Sequence, residues 1–176
     1  MILKITDVKD PKLRLKSKPV IKFDKKIRQL ISNMRETLIA QKDPEGVGLA
    51  APQVGKSIRL FIIDYRKEKK VIINPEIISV SKEKKAPKTK NKDSILEGCL
   101  SLPHYYGPIK RSQKIKIKYQ NLDGKLVSEE FTGFIAQIIQ HEIDHLNGVL
   151  FVDRILEQKA PLYKFEGKDF EEVELI

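Results

Sequence analysis

The stretch Gln140-His141-Glu142-Ile143-Asp144-His145-Leu146-Asn147-Gly148 constrains this chain more than any other, because two histidines stand four residues apart with a glutamate directly after the first. At about 100° per residue, that spacing stacks both imidazoles on one face of a helix, one turn apart. Carried backwards at the same pitch, Phe134, Ile138, His141 and His145 fall within roughly 40° of one line, so the histidines continue an apolar stripe. Glu142 lies beside that stripe with Ile135, Ile139 and Leu146, whereas Gln137, Gln140, Asp144 and Asn147 form the opposite flank, expected to be wet. An ionised carboxylate on a buried flank is costly without a strong partner. The pattern therefore favours a divalent metal held by His141 and His145, with Glu142 as general base toward a metal-activated water, over a pair of ordinary half-buried histidines. Such a centre needs a third protein ligand and keeps one position open.

At 176 residues the chain is expected to be one domain, 1–176, able to bury a core without disulfides or structural metals. Lysine and arginine number 34 against 24 acidic residues, a formal charge of +10 that favours loose association with polyanions. The single cysteine, Cys99, excludes an internal disulfide and suits a reducing compartment. Residues 1–14 carry no secretory or transit pattern, and no apolar run approaches the ~20 residues that span a bilayer. A soluble cytoplasmic protein with no membrane contact is the expectation.

Along the chain, Asp24 is placed to cap a helix whose apolar positions are Ile27, Leu30, Ile31, Met34 and Leu38, ending by Asp43-Pro44. The stretch Gly46-Val47-Gly48-Leu49-Ala50-Ala51-Pro52-Gln53-Val54-Gly55 allows close backbone approach, yet it is no phosphate loop, since no Gly-Lys-Ser/Thr follows. Residues 57–64, 71–74 and 77–80 read as three buried strands. Residues 81–94, with six lysines, read as a solvated loop without the interleaved aromatics of a nucleic-acid contact. Residues 114–119 and 126–131 form a half-exposed hairpin around Asp123-Gly124, Gly133 and Gly148 bound the histidine helix, and residues 162–175 close as a last hairpin. The expected fold class is α+β, antiparallel strands packed around a central metal-binding helix.

The third ligand is open on spacing alone. One large group of His-Glu-x-x-His peptidases continues to a glycine and a third histidine; Gly148 fits, but Phe151 occupies the ligand place. Another uses a downstream glutamate, for which Glu166 is a candidate that Pro161 and the hairpin-like tail disfavour. Upstream stand His104 and Cys99, of which a thiolate is the better partner for two imidazoles on a borderline-soft metal.

Three stretches then become recognisable together. Gly-Val-Gly-Leu-Ala-Ala-Pro-Gln at 46–53, Glu-Gly-Cys-Leu-Ser at 97–101 and Gln-His-Glu-Ile-Asp-His-Leu at 140–146 resemble, in order, the three signature motifs of peptide deformylases, and Asp10-Pro11-Lys12-Leu13-Arg14 resembles that family's opening. The resemblance implies that Cys99, His141 and His145 hold one divalent metal, ferrous iron (Fe2+) in the cell with Ni2+, Co2+ or Zn2+ as substitutes. It implies Glu142 as general base, and the Gln53 amide and Leu100 N–H as donors to the developing oxyanion. It also implies an amide hydrolase that removes formyl groups from nascent chains beginning with formyl-methionine and releases formate, with Gly48 bonding the extended peptide as an added strand would. With the formyl carbon at the metal, the helix wheel then places the first side chain along Phe134 and Ile138, with Val47 from the glycine-rich stretch. Transient ribosome contact is expected, and sequence-specific nucleic-acid binding is not. Gln137 departs from the family, whose members often carry arginine there. The alternative is a catalytically inactive deformylase-like module, metal-stabilised and docking on the ribosome or nucleic acid through its basic surface; Glu142 argues against it, because a closed structural site has no use for a base.

Overall fold

The structure is a computed structural model and describes residues 1–82, 84–85 and 96–174. A 3-10 turn at Pro11–Arg14 precedes α1 (Lys25–Ala40). Asp24 caps α1, its carboxylate accepting from the N–H groups of Lys26 (3.0 Å) and Ile27 (3.1 Å), which the helix itself leaves without partners. The glycine-rich stretch forms β1 (Gly48–Ala50) and a second 3-10 turn (Ala51–Val54). Then follow β2 (Leu60–Tyr65), β3 (Glu68–Val80), β4 (Lys84–Lys85), β5 (Glu97–Cys99), β6 (Leu102–Gly107), β7 (Arg111–Ser112), β8 (Lys114–Gln120) and β9 (Leu126–Thr132). Helices α2 (Gly133–Leu146) and α3 (Phe151–Gln158) lead to the closing hairpin β10 (Leu162–Glu166) and β11 (Asp169–Val173). Among the described residues the strands form antiparallel sheets ordered β1-β2-β3-β8-β9, β11-β10-β6-β5 and β4-β7.

Which sheet faces are covered accounts for the strand sequences. Alternate residues of β2 go to opposite cores: Phe61 and Ile63 pack with Ile138, Ile139 and Ile143 of α2, whereas Leu60 and Ile62 pack with Ile31, Met34 and Leu38 of α1. A strand covered on both faces needs no polar alternation, hence the unbroken Leu-Phe-Ile-Ile and Val-Ile-Ile runs. On β8 only Ile115, Ile117 and Tyr119 are buried, beside the α2 cluster, while the intervening lysines face water. A third cluster of Cys99, Ile109, Phe151, Ile155 and Leu162 ties α3 to the second sheet.

Several sequence expectations change. Residues 71–74 and 77–80 are one strand, β3, whose pairing with β8 shifts register between Ile73 and Glu76. At that shift Asn74 takes a positive φ of 52° and Pro75 offers no N–H, so the polar break marks a bulge and not a strand end. Ile77, Ile78 and Val80 are exposed, not buried. Strand β2 starts at Leu60, three residues later than expected from Ser57, and α1 ends at Ala40, ahead of Asp43-Pro44. Helix α3 was not anticipated; it follows Gly148 closely, and Asp153 accepts from the Leu150 N–H at 2.7 Å. The lysine-rich loop expected at 81–94 falls mostly outside the described residues.

Helix α2 lies between the five-stranded sheet and the second sheet, and buries Ala136, Ile138, Ile139 and every residue from His141 to Leu146. The expected wet flank is therefore largely absent. Gln140 donates to the carbonyls of Ser112 and Ala136 (both 2.9 Å) and accepts from the Ser112 N–H (3.1 Å), and Asp144 is buried among arginines. Of that flank only Asn147 is exposed. Beyond the helix, Gly148 has a φ of 73°, and a Cβ there would strike the backbone of Arg14, whose 3-10 turn is also held where the Ser17 N–H donates to the Leu146 carbonyl at 2.9 Å.

Gly148→Ala should accordingly cost about 2–3 kcal/mol, from the left-handed backbone and the clash with Arg14 together. Denaturant unfolding checks this, and a loss under about 0.5 kcal/mol would show that the contact can relax.

Candidate metal centre and active site

Two elements converge on the centre. Cys99 closes β5, and its pairing with Leu102 follows a register shift that turns the chain back sharply into β6. His141 and His145 come from successive turns of α2, with ring centroids 4.9 Å apart. One donor atom from each of Cys99, His141 and His145 falls in a group whose members all lie within 4.8 Å of one another, and His145 Nε2 is 3.3 Å from Cys99 Sγ. All three residues are buried. The other two candidates lie elsewhere: His104 is part-exposed with Nδ1 3.9 Å from Asp43, and Glu166 pairs with Lys164 in the closing hairpin.

Burial opposes a thiolate at Cys99, but His145 and His141 outweigh it and bring the thiol well below its ordinary pKa. Burial likewise opposes charge on His141, yet Cys99 and Glu97 lift that imidazole well above its ordinary value. The set thus combines a soft anionic sulfur with two imidazole nitrogens, a combination suited to a late first-row divalent metal. Among the described residues, buried Glu142 Oε2 and His145 Nδ1 have no partner, and it is the other ring nitrogen of His145, Nε2, that faces Cys99. The residues present therefore fit one metal ion.

Sequence reasoning missed the groups behind His141. Glu97 Oε1 meets His141 Nδ1 at 2.8 Å, an arrangement that leaves Nε2 as the nitrogen free to ligate. Arg111 grips the same carboxylate with Nε (3.0 Å) and Nη2 (2.6 Å), and Gln137 Nε2 donates to Glu97 Oε2 at 3.3 Å. Burial would raise the Glu97 pKa, but Arg111 and His141 hold it down to about 2. The available signal was the position of Glu97, two residues before the only cysteine; nothing in the sequence distinguishes Arg111 from surface arginines.

Glu142 has the opposite environment. Burial pushes its carboxyl up to about 7, with His141 and His145 pulling the other way. A Cβ at Gly48 would lie 2.5 Å from Glu142 Oε1 and 3.0 Å from an Ile138 methyl, so residue 48 must lack a side chain for Glu142 to keep its place. The side chain of Gln53 is buried and fixed: its Oε1 accepts from the Ala50 N–H at 2.9 Å, and Nε2 points toward Ser101 Oγ (3.2 Å) and Cys99 Sγ (3.6 Å). These groups open on a cavity of about 330 Å³ lined by Val47, Gly48, Gln53, Cys99, Leu100, Phe134, Ile138, His141 and Glu142. Every sequence-selected site residue except the inward-lying His145 thus lines one cavity. Tyr65, Leu96 and Gln137 join them, with the Tyr65 ring edge-on to Phe134 at 4.8 Å.

Comparison with known proteins agrees with this geometry. The family model described as polypeptide deformylase matches residues 2–161. The peptide deformylase of Thermotoga maritima is 45% identical over 155 residues, 88% of each chain. Its crystal structure superposes with a TM-score of 0.78, covering 88% of this chain and 97% of that one at 44% identity. A Synechococcus elongatus peptide deformylase, solved in complex with actinonin, gives a TM-score of 0.77 at 37% identity over 86% of this chain and 78% of its own.

Cys99→Ala should lose tightly held metal while the chain still folds, because the two clusters flanking the five-stranded sheet do not include the site sulfur. Elemental analysis after dialysis, with circular dichroism on the same sample, checks this; full metal retention would remove Cys99 from the ligand set.

Proposed function

The chain belongs to the polypeptide deformylase family, and from that premise we propose that this cavity binds formyl-methionine at the start of a newly made polypeptide and hydrolyses its formyl amide, releasing formate. The observation that carries this is the convergence of a thiolate, two imidazoles and a buried, partnerless glutamate oxygen on one apolar-walled cavity. Cys99, His141 and His145 are proposed to hold the metal, taken as Fe2+ in the cell with Ni2+, Co2+ or Zn2+ able to replace it, since the donor set suits each of them. When bound, the metal would supply Lewis acidity, activating water and polarising the formyl oxygen.

The remaining work falls to the chain's own side chains. Glu142 takes a proton from the attacking water and delivers it to the amine nitrogen as the C–N bond breaks, a role suited to a carboxyl raised to about 7. The Gln53 Nε2 group and the Leu100 N–H donate to the oxygen on which negative charge develops. Gln53 is pre-set for this by the Ala50 N–H on its Oε1, so no reorganisation accompanies the reaction. β1 is an outer strand of its sheet, and Gly48 is proposed to bond the extended peptide along its unpaired side. Val47, Phe134 and Ile138 form the slot for the methionine side chain, and Tyr65 backs it.

We further propose that residues 1–176 act as one catalytic domain in the cytoplasm, with transient ribosome contact supported by the +10 charge and no sequence-specific nucleic-acid binding. Among the described residues, no helix is long and apolar enough to cross a membrane. The inactive-module alternative is disfavoured, because burying Glu142 beside the ligands is costly and serves no closed structural site.

Anaerobically prepared protein, assayed for formate release from a formyl-Met peptide with metal content measured on the same sample, tests the reading; metal-loaded protein that releases no formate would refute it. Glu142→Ala should retain its metal and lose about 10²–10⁴-fold in kcat. Loss of metal with unchanged turnover per remaining ion would make Glu142 a supporting residue instead. Formyl-Ala peptides should react about 10- to 200-fold more slowly than formyl-Met peptides in kcat/KM. Ile138→Asp should impair formyl-Met turnover far more than Ile138→Val at equal metal content, and equal kcat/KM for formyl-Met, formyl-Ala and formyl-Lys peptides in the unaltered protein would eliminate the slot.

A further inference from the structure

From Glu97 at the cavity wall, a line of alternating charges that the proposed chemistry does not use runs toward α3, buried at Glu97, Arg111 and Asp144 and reaching the surface at Glu157. Arg111 of β7 is only 6% exposed, and its guanidinium bridges two carboxylates: Glu97 through Nε and Nη2, and Asp144 through Nη1 at 2.6 Å. Asp144, one residue before His145, is gripped from its other side by Arg154 of α3, through Nε at 3.0 Å and Nη2 at 2.7 Å. Arg154 Nη1 in turn donates to Glu157 at 2.7 Å. The order Glu97, Arg111, Asp144, Arg154, Glu157 alternates in sign, and its first member holds His141 Nδ1.

We propose that Arg111 is a positioning residue for the metal centre, fixing the Glu97 carboxylate against His141 Nδ1 and tying that carboxylate to α2 and α3 through Asp144. The planar fork does what a point charge would not. Two parallel bonds to one carboxylate fix the plane of Glu97 as well as its distance. That plane decides whether Oε1 faces the imidazole, and so whether His141 presents Nε2 to the ligand set in the right tautomer and orientation. Arg111 touches no metal ligand itself, so it acts on the centre through Glu97, with Asp144 serving as its anchor to α2. This inference rests on the Cys99, His141 and His145 ligand set proposed above.

The test is Zn2+ affinity of the full-length protein, measured by competition with a chromophoric chelator, for the parent, Cys99→Ala, Arg111→Lys, Glu97→Gln and the double variant Arg111→Lys/Glu97→Gln. Arg111→Lys keeps the charge and loses the fork, so it should fold and yet weaken Zn2+ binding about 10-fold. Glu97→Gln should weaken it about 10- to 100-fold. In the Glu97→Gln background the lysine substitution should cost less than about threefold, because the carboxylate through which Arg111 acts is gone. The Nδ1–H proton of His141 in the Zn2+-loaded parent should appear far downfield by NMR and move upfield in Arg111→Lys. Parent affinity in Arg111→Lys, or an equal loss with and without Glu97, would overturn the proposal. If Arg111→Lys does not fold, Arg111→Met/Glu97→Gln, which removes both buried charges together, replaces it against Glu97→Gln; a loss beyond threefold between those two would overturn it, and matching affinities would support it. A parent that binds no Zn2+, or binds it equally after Cys99→Ala, would instead refute the ligand set.

Discussion

Everything around α2 follows from burying four ionisable residues, His141, Glu142, Asp144 and His145, on a helix enclosed almost all round. Removing one partner from a buried ion pair typically costs 3–5 kcal/mol, so the elements that bring partners are constrained almost as firmly as the helix itself. β5 brings Glu97 and Cys99, β7 brings Arg111, and α3 brings Arg154. These strands are short, and α3 has only eight residues, so their placement depends heavily on those contacts as well as on the apolar cluster around Ile109, Phe151 and Ile155. Here electrostatics positions structure that hydrophobic burial alone would hold loosely.

Two glutamates show how environment divides one side-chain type into two charge states. Both Glu97 and Glu142 are buried next to histidines. Glu97 faces a guanidinium fork and is held to about 2, a permanent anion that orients a ring. Glu142 has, among the described residues, no cation of fixed charge beside it and sits at about 7, where giving and taking a proton are comparably easy. Gly48 supports the difference sterically, since any side chain there would drive Glu142 out of its position.

The parts legible in the sequence were those with local period or motif spacing. The α1 stripe with its Asp24 cap, the Lys114–Gln120 hairpin strand, the α2 wheel and the three motifs could each be read from neighbouring residues. What escaped depended on distant pairing. Asp144 and Gln140 looked solvent-facing because polarity on a helix usually means water, and only the fold brings Arg111, Arg154 and Ser112 to them. Arg111, 14 residues from Glu97 and 33 from Asp144, resembles any surface arginine until β7 is laid beside α2. The bulge at Asn74-Pro75 was read as a gap between strands because turn chemistry and bulge chemistry use the same residues.

Unmet polar capacity is distributed as unevenly as charge. Among the described residues, three buried side-chain polar atoms lack a partner, Ser17 Oγ, Glu142 Oε2 and His145 Nδ1, and two of them belong to the centre. Buried groups in folded chains are nearly always paired, so the free Oε2 of Glu142, a residue that lines the cavity, marks where a partner from outside the chain is met. On the opposite side of the same helix, Asp144 and Gln140 have both side-chain ends engaged. α2 is thus locked on its arginine side and open on its cavity side. The proposed reaction would draw on that division, since a helix held firmly on one side keeps its place while a carboxylate on the other stays free to exchange a proton.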